Sequence, residues 1–284
     1  AHMFKMIASD IDGTLVYKTN LPSDRTKRAV KAVKSLGVPF VLTTGRRIPS
    51  AKIMSYALDI ADNPLISNCG SCILLPSRNE ILYSKHIPKD LAFEIGKIAF
   101  SCGVNVAFYE NVFDGDEILV FSQQQIYWMS SHSPWYGSFF RKIDVKPSAL
   151  LNDPIQISLS GTSRNMHKAH DAFKREFEKD AIYMDYGILK HGDHIMDIFA
   201  SGTSKANALE VLMKSYEISN SDLVAFGDGI NDLEMLSMAG LSVAMENAPS
   251  YLKQKSKVIA PSSWNDGVAH VIEDLISTDM IHSL

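Results

Sequence analysis

The sequence predicts an α/β protein: a doubly wound parallel sheet into which an α+β domain is inserted. Two observations carry this expectation. At both ends of the chain, short apolar runs that stop at turn residues alternate with segments of helical periodicity, which is the pattern of βα units. Between them, over residues 86–189, the alternation gives way to half-polar strands and helices with an antiparallel look. A chain of 284 residues, 46% apolar and 21% charged, is long enough for two domains with separate cores.

The first run, Phe4-Lys5-Met6-Ile7-Ala8-Ser9, leads into Asp10-Ile11-Asp12-Gly13-Thr14-Leu15. A short apolar run bounded by turn residues reads as a buried parallel strand, and open α/β sheets bind ligands at the carboxyl ends of such strands. Alternation along the extended chain puts Asp10 and Asp12 on one side. Two carboxylates held that close are stable as anions mainly when a cation lies between them. The competing reading is a pair of solvated turn aspartates.

Ser23 is a plausible N-cap for a helix carrying Ala29, Val30, Ala32, Val33 and Leu36 up to Gly37. Val38 to Leu42 then forms a strand whose end delivers Thr43-Thr44-Gly45-Arg46, where hydroxyls and a glycine let a phosphate approach the backbone; alternatively Thr44 caps a helix through a nearby amide. Residues 51–61 are helical in pattern, Pro64 to Ser67 starts a strand ending in Asn68-Cys69-Gly70-Ser71, and Pro76-Ser77-Arg78-Asn79 marks a hairpin.

Within the insert the sequence predicts a helix from Lys89 to Ser101, strands at Val104–Tyr109, Glu117–Phe121 and Ile155–Leu159, a helix from Asn165 to Lys179 and a strand at Ile182–Met184. The βα alternation is expected to resume at His194–Phe199. A helix then starts at Gly202-Thr203-Ser204-Lys205, the strand Leu223–Phe226 ends in Gly227-Asp228-Gly229-Ile230-Asn231-Asp232, and Leu241–Met245, Lys257–Ile259 and a helix from Gly267 to Ile276 complete the sheet. The core is therefore expected over 1–85 and 190–284, with the insert over 86–189.

A formal net charge of −4 argues against a dedicated nucleic-acid binder. No apolar run approaches membrane-spanning length and no signal peptide precedes the first strand, so a cytoplasmic address is expected. Ala1-His2 before Met3 looks like a cloning scar and is set aside. Cys69, Cys72 and Cys102 read as reduced thiols; the Cys69-x-x-Cys72 pair lacks a second ligand pair that a zinc site needs.

Asp10-Ile11-Asp12-Gly13-Thr14-Leu15 resembles the first motif of the haloacid dehalogenase (HAD) superfamily. Thr44 after its strand resembles the second motif's hydroxyl, and Lys205 with Gly227-Asp228-Gly229-Ile230-Asn231-Asp232 resembles the later ones. In this order, with the insert between the second and third motifs and the loop Val243-Ala244-Met245-Glu246-Asn247-Ala248, the whole chain resembles the Cof-like branch, the sugar-phosphate phosphatases. The resemblance implies a Rossmann-like core, a mobile αβ cap, Mg²⁺, and hydrolysis of phosphomonoesters. It makes Asp10 the nucleophile and Asp12 the general acid/base. Mg²⁺ would be held by the Asp10 carboxylate, the Asp12 main-chain carbonyl and the Asp228 carboxylate. Thr44, Gly45, Lys205 and Asn231 would hold the phosphoryl oxygens, while Asp232 would orient Lys205 or a metal-bound water. Cys69 departs from the Asn-Gly that relatives usually carry in that turn.

Phosphoryl transfer suits this set of residues, because its catalysis rests on positioning and charge stabilisation. A phosphomutase, or a phosphatase for nucleotides or pyridoxal phosphate, shares every core motif, and a phosphate-binding module without turnover is a third reading. The expected partner is a small phosphate ester, with no nucleic acid or membrane, in a monomer or weak homo-oligomer. His167-x-x-His170 and His191-x-x-His194 read as solvated rather than metal-binding histidines. The stretch Tyr127-Trp128, His132, Trp135-Tyr136, Phe139-Phe140 reads as cap core or a substrate cover rather than a base-stacking surface.

Overall fold

The computed structural model of the protein describes residues 3–18, 21–110, 118–122, 140–190 and 192–281. The chain forms two compact units, one of Ala1–Tyr83 with Ser204–Leu284 and one of Ser84–Thr203.

The first unit begins with β1 (Met6–Asp10), α1 (Asp24–Ser35), β2 (Phe40–Thr43), α2 (Ile48–Ala57), β3 (Leu65–Ser67), β4 (Cys72–Leu75) and β5 (Glu80–Ser84). Ser23 caps α1 as its sequence predicts, its side chain accepting from the Thr26 amide, and the buried stripe is Thr26, Ala29, Val30 and Val33. The hairpin signal resolves as the antiparallel partner β4 beside β3, followed by β5 at the sheet edge.

The second unit contains α3 (Lys89–Ser101), β6 (Asn105–Tyr109), β7 (Ile118–Val120), β8 (Phe140–Lys142), β9 (Gln156–Gly161), α4 (Ser163–Phe177), β10 (Ala181–Ile188) and β11 (His194–Ala200). Its sheet runs β10-β11-β9-β6-β7-β8, and its core packs Phe93, Phe108, Phe121 and Phe173 beneath α3 and α4. Residues 111–117, most of Gln123 to Arg141 with its aromatics, and His191 lie outside the described residues.

The chain returns to the first unit with α5 (Lys205–Ser215), β12 (Leu223–Gly227), α6 (Leu233–Met238), β13 (Leu241–Met245), α7 (Ser250–Lys255), β14 (Val258–Ala260) and α8 (Gly267–Ser277). Its sheet order is β14-β13-β12-β1-β2-β3-β4-β5, parallel from β14 to β3. From β1 the chain winds outward to β2 and β3 on one side and, later, from β12 to β14 on the other. That is the doubly wound arrangement the sequence predicts, and its switch point lies at the carboxyl ends of β12, β1 and β2. All five residues of β1 and of β12 are buried, as strands covered on both faces must be.

One boundary differs. His194–Phe199 was expected to reopen the core, but β11 pairs antiparallel with β9 and β10 in the second sheet, so that unit extends to Thr203 rather than 189. The reason is visible in its polarity: Asp197 breaks the apolar run and accepts from Ser158 Oγ of β9 at 2.6 Å, which a central parallel strand of the first unit could not accommodate. Among the described residues, no helix is long and apolar enough to cross a membrane.

The reassigned strand can be tested by excision. Joining Tyr83 to Ser204 through a short Gly/Ser linker removes one whole unit and should leave a cooperative thermal transition. Removing only 86–189 strands β11 and exposes Met196, Ile198 and Phe199, each fully buried, at roughly 1.5–3 kcal/mol apiece. That protein should melt markedly lower or aggregate, and equal melting of the two would contradict the assignment.

Candidate active site

The carboxyl end of β1 places Asp10 beside Thr43 of β2, in register, with Phe226 of β12 flanking Ser9 on the other side. Beyond Asp10 the chain leaves the sheet in a tight turn: the Leu15 and Val16 amides donate to the Ile11 carbonyl, and the Gly13 amide to Val16 O at 2.9 Å. Gly13 sits at φ +80°, and a Cβ there would fall 2.2 Å from an Asp228 carboxylate oxygen, so conformation and space both require glycine. Next to it, Thr14 Oγ1 donates to Asp228 Oδ1 at 2.7 Å.

Lys205, first residue of α5, is 1% exposed and lies between two carboxylates. Its Nζ donates to Asp10 Oδ1 at 2.8 Å and to Asp232 Oδ1 at 2.7 Å. The other Asp232 oxygen accepts the amides of Asp228 and Gly229 at 3.0 Å each. Asp232 is thus fully committed to holding the lysine and the turn after β12. The start of α5 is set in turn by Asn68-Cys69-Gly70: a Cβ on Gly70, at φ +104°, would lie 2.1 Å from Ser204 O. Cys69 adopts φ +56° in the same turn, a left-handed conformation that favours glycine, and its amide donates to Thr44 O at 3.0 Å.

The structure therefore brings Asp10, Lys205, Asp228 and Asp232 together. Thr44 lies buried just past the end of β2, its Oγ1 accepting the Arg46 amide at 3.0 Å in a local turn, while the N-cap of α2 is Arg47 rather than Thr44. Gly45 follows it. Asn231 is half-buried in the turn Ile230–Asp232, between the two aspartates.

Asp12 lies just beyond β1, which stops at Asp10, in the turn that follows. Its carboxylate receives a two-point contact from Arg46, Nε to Oδ2 at 2.7 Å and Nη2 to Oδ1 at 2.5 Å. Arg46 and Thr14 are site residues that sequence reasoning passed over. The available signal was a guanidinium directly after Thr44-Gly45, and a hydroxyl directly after the Asp-Gly turn.

Burial pushes the Asp10 carboxyl well above the usual range, with the Asp232 and Asp228 charges adding to it and Lys205 opposing. Asp228 is raised too, first by burial, while Thr14 pulls it back. Lys205 is held charged above its ordinary range: burial works against the ammonium, but the charges and hydrogen bonds of Asp10 and Asp232 together outweigh it.

Carboxylate oxygens of Asp10, Asp228 and Asp232 lie within 4.8 Å of one another. Three carboxylates facing one ammonium leave two formal negative charges, which a divalent cation neutralises. The donor set is hard oxygen, which fits Mg²⁺; since Asp232 is already used on both oxygens, Asp10 and Asp228 are the side chains with capacity to hold it.

Of the histidines noted in the sequence, His167 is exposed and His170 half-buried, His191 lies outside the described residues, and His194 departs from the expectation of solvent. His194 is buried, its Nε2 2.6 Å from Asp185 Oδ1, with the His167 ring edge-on to it at 5.3 Å between centroids. Among the described residues no histidine joins a potential metal cluster, and all three cysteines are free thiols.

An open, mostly parallel sheet with a lysine-bridged carboxylate cluster at its switch point can serve as the framework of one class of hydrolases. The chain belongs to that class, the haloacid dehalogenase-like hydrolases, whose family profile matches residues 7–272. It is 28% identical to the 5-amino-6-(5-phospho-D-ribitylamino)uracil phosphatase YwtE of Bacillus subtilis, over 96% of this chain and 98% of that protein. In fold it is similar to a haloacid dehalogenase-like hydrolase from Bacteroides thetaiotaomicron, with a TM-score of 0.78 and 21% identity over 96% of this chain and 99% of that one. A Eubacterium rectale structure gives a TM-score of 0.82 at 23% identity, covering 96% of this chain and 99% of that one.

Lys205→Ala should destabilise the fold as well as the site. Removing one partner of a buried pair leaves uncompensated charge, at about 3–5 kcal/mol. Because Lys205 is held charged above its ordinary range, its stabilisation is fully present at neutral pH and would be lost only as pH rises through the raised value. The deficit of the variant should shrink as pH falls and Asp10, already raised by burial, takes up a proton. Urea unfolding at several pH values with chelator present measures this; equal stability at neutral pH would mean that the pair carries none of the fold.

Proposed function

We propose that the protein is a Mg²⁺-dependent phosphatase of small phosphomonoesters, most specifically phosphorylated sugars or sugar alcohols, acting through an aspartyl-phosphate on Asp10. The observation that carries this reading is the Asp10 carboxylate held by Lys205 at 2.8 Å, with an Asp228 carboxylate oxygen within 4.8 Å, at the sheet's switch point. A carboxylate can attack an anionic phosphoryl group only where cations screen their repulsion, and here a fixed ammonium and a divalent-cation site flank it.

In the first step an Asp10 oxygen bonds to phosphorus as the bond to the leaving oxygen breaks, and Asp12 gives that oxygen its proton. In the second, water attacks the phosphorus of the acyl-phosphate while Asp12 takes its proton, releasing phosphate and restoring both aspartates. Lys205, Thr44, the Gly45 backbone and Asn231 hold the phosphoryl oxygens. The Asp10 and Asp228 carboxylates with the Asp12 main-chain carbonyl would hold Mg²⁺, whose chemistry is to neutralise charge on the transferring group. The two-point Arg46 contact suits Asp12 as the base; as the acid, Asp12 has to exchange one of those bonds for a proton.

The sugar-phosphate assignment is supported by the kinship to YwtE, a protein named for a phosphorylated ribityl substrate. The second unit is proposed to be the cap that selects among leaving groups, since the core residues handle only the phosphoryl group. Free thiols and a modest net charge support a cytoplasmic enzyme that works on small molecules.

Asp10→Asn should abolish turnover while leaving the fold, because an amide cannot form the acyl-phosphate; the barrier should rise by at least ~4 kcal/mol, roughly a thousandfold in rate. Hydrolysis of p-nitrophenyl phosphate with Mg²⁺ and with chelator, beside a thermal melt, measures this. Retention of more than about a tenth of the activity, or full activity in chelator, would overturn the reading.

A further inference from the structure

The residues that hold the candidate site do not all touch it. Asn247, half-buried in the turn after β13, has an amide group that bridges two loops at the carboxyl edge of the sheet. Its Nδ2 donates to the Gly13 carbonyl at 2.8 Å, and its Oδ1 accepts the Ser263 amide at 2.9 Å. The same two loops meet again where the Tyr17 and Trp264 rings pack edge to face, 5.2 Å between centroids. A third tie is Ser23 Oγ, which donates to Asp266 Oδ1 at 2.6 Å.

Of these ties, the one through Asn247 bears directly on the chemistry. Gly13 is the residue on which the Asp228 carboxylate rests, and Thr14, one bond further, donates to that carboxylate. Asp12 precedes Gly13, so the peptide unit gripped by Asn247 lies between the acid/base candidate and the hydroxyl that orients a metal-holding aspartate. Gly13, at φ +80°, has backbone freedom that other residues lack, and the Asn247 contact restrains its carbonyl in addition to the hydrogen bonds within the turn.

We propose that Asn247 is a positioning residue: by clamping the Gly13 carbonyl to the Ser263 amide it fixes the turn that sets Asp12, Thr14 and, through Thr14, Asp228. This deepens the phosphatase reading and rests on it for its kinetic consequences, but not for its structural ones. Groups that orient a metal's direct ligands typically change affinity or activity by about 10–100-fold when removed, and a misplacement of about 1 Å can lower a rate about 100-fold.

The test compares Asn247→Ala, which removes both bonds, Asn247→Asp, which keeps the acceptor for Ser263 but turns a second oxygen toward the Gly13 carbonyl, and Trp264→Ala, which loosens the same loops and spares the clamp. Three readouts are taken well below the melting transition: amide hydrogen exchange of residues 11–17, calorimetric Mg²⁺ binding without substrate, and kcat and KM for p-nitrophenyl phosphate. Both Asn247 variants should speed exchange of 11–17 and weaken Mg²⁺ binding about 10-fold, lowering kcat about 10-fold with KM moved less than about threefold. Trp264→Ala should lower the melting temperature and speed exchange near Tyr17, while leaving exchange at 11–14, Mg²⁺ binding and kcat close to wild type. Unchanged exchange in Asn247→Ala, or equal effects of Asn247→Ala and Trp264→Ala on Mg²⁺ binding, would overturn the proposal. If the wild-type protein hydrolyses no phosphomonoester, the phosphatase reading fails, while the exchange result still decides whether Asn247 holds the turn.

Discussion

A single buried ammonium organises the first unit. Lys205, bonded to Asp10 and Asp232 and almost wholly removed from water, is tolerable only because it is paired, since an unpaired ion in such surroundings costs several kcal/mol. The end of β1, the start of α5 and the turn after β12 must therefore meet at one point. Close backbone approach is the consequence: at Gly13, Gly70 and Gly227 an added Cβ would lie within 2.5 Å of Asp228, Ser204 or Asp232. What makes the fold specific here is the same set of contacts that makes the site anionic and ready for a cation.

Much of this was legible in the sequence. Strands buried on both faces must be continuous apolar runs, so β1, β12 and β13 announce themselves, and their ends locate Asp10 and Asp228 without reference to any other protein. Helix starts were equally plain where a hydroxyl caps them, as Ser23 and Ser204 do. Asp12 was less legible, because period-two alternation holds only while the chain stays extended, and β1 ends at Asp10, before Asp12 is reached. Its partner Arg46 is 34 positions away in sequence, a distance over which no local pattern speaks.

The second unit was harder to read for a different reason. Half-buried antiparallel strands carry mixed sequences, so β11, with Asp197 at its centre, resembles neither a core strand nor a loop. The pairing of His194 with Asp185 likewise depends on a β-bulge between Asp185 and Gly187, a feature that spacing alone does not forecast. His167-x-x-His170 looked like an isolated helical pair, yet the fold sets His167 against His194 across the α4–β11 packing. The cysteine pair was decided by its surroundings: Cys72 is buried between strands, its thiol pushed up to about 12 by that burial, which leaves it inert rather than redox-active.

The central claim is that Asp10 itself carries the phosphoryl group during turnover. The most direct measurement is rapid acid quenching of protein mixed with Mg²⁺ and p-nitrophenyl phosphate, reduction with borohydride, and peptide mass spectrometry. An acyl-phosphate is reduced to an alcohol, so the peptide containing Asp10 should carry homoserine at that position, in a yield that rises within the first turnover and is absent without substrate. Turnover that proceeds with Asp10 unmodified, or reduction found at Asp228 or Asp232 instead, would contradict the account.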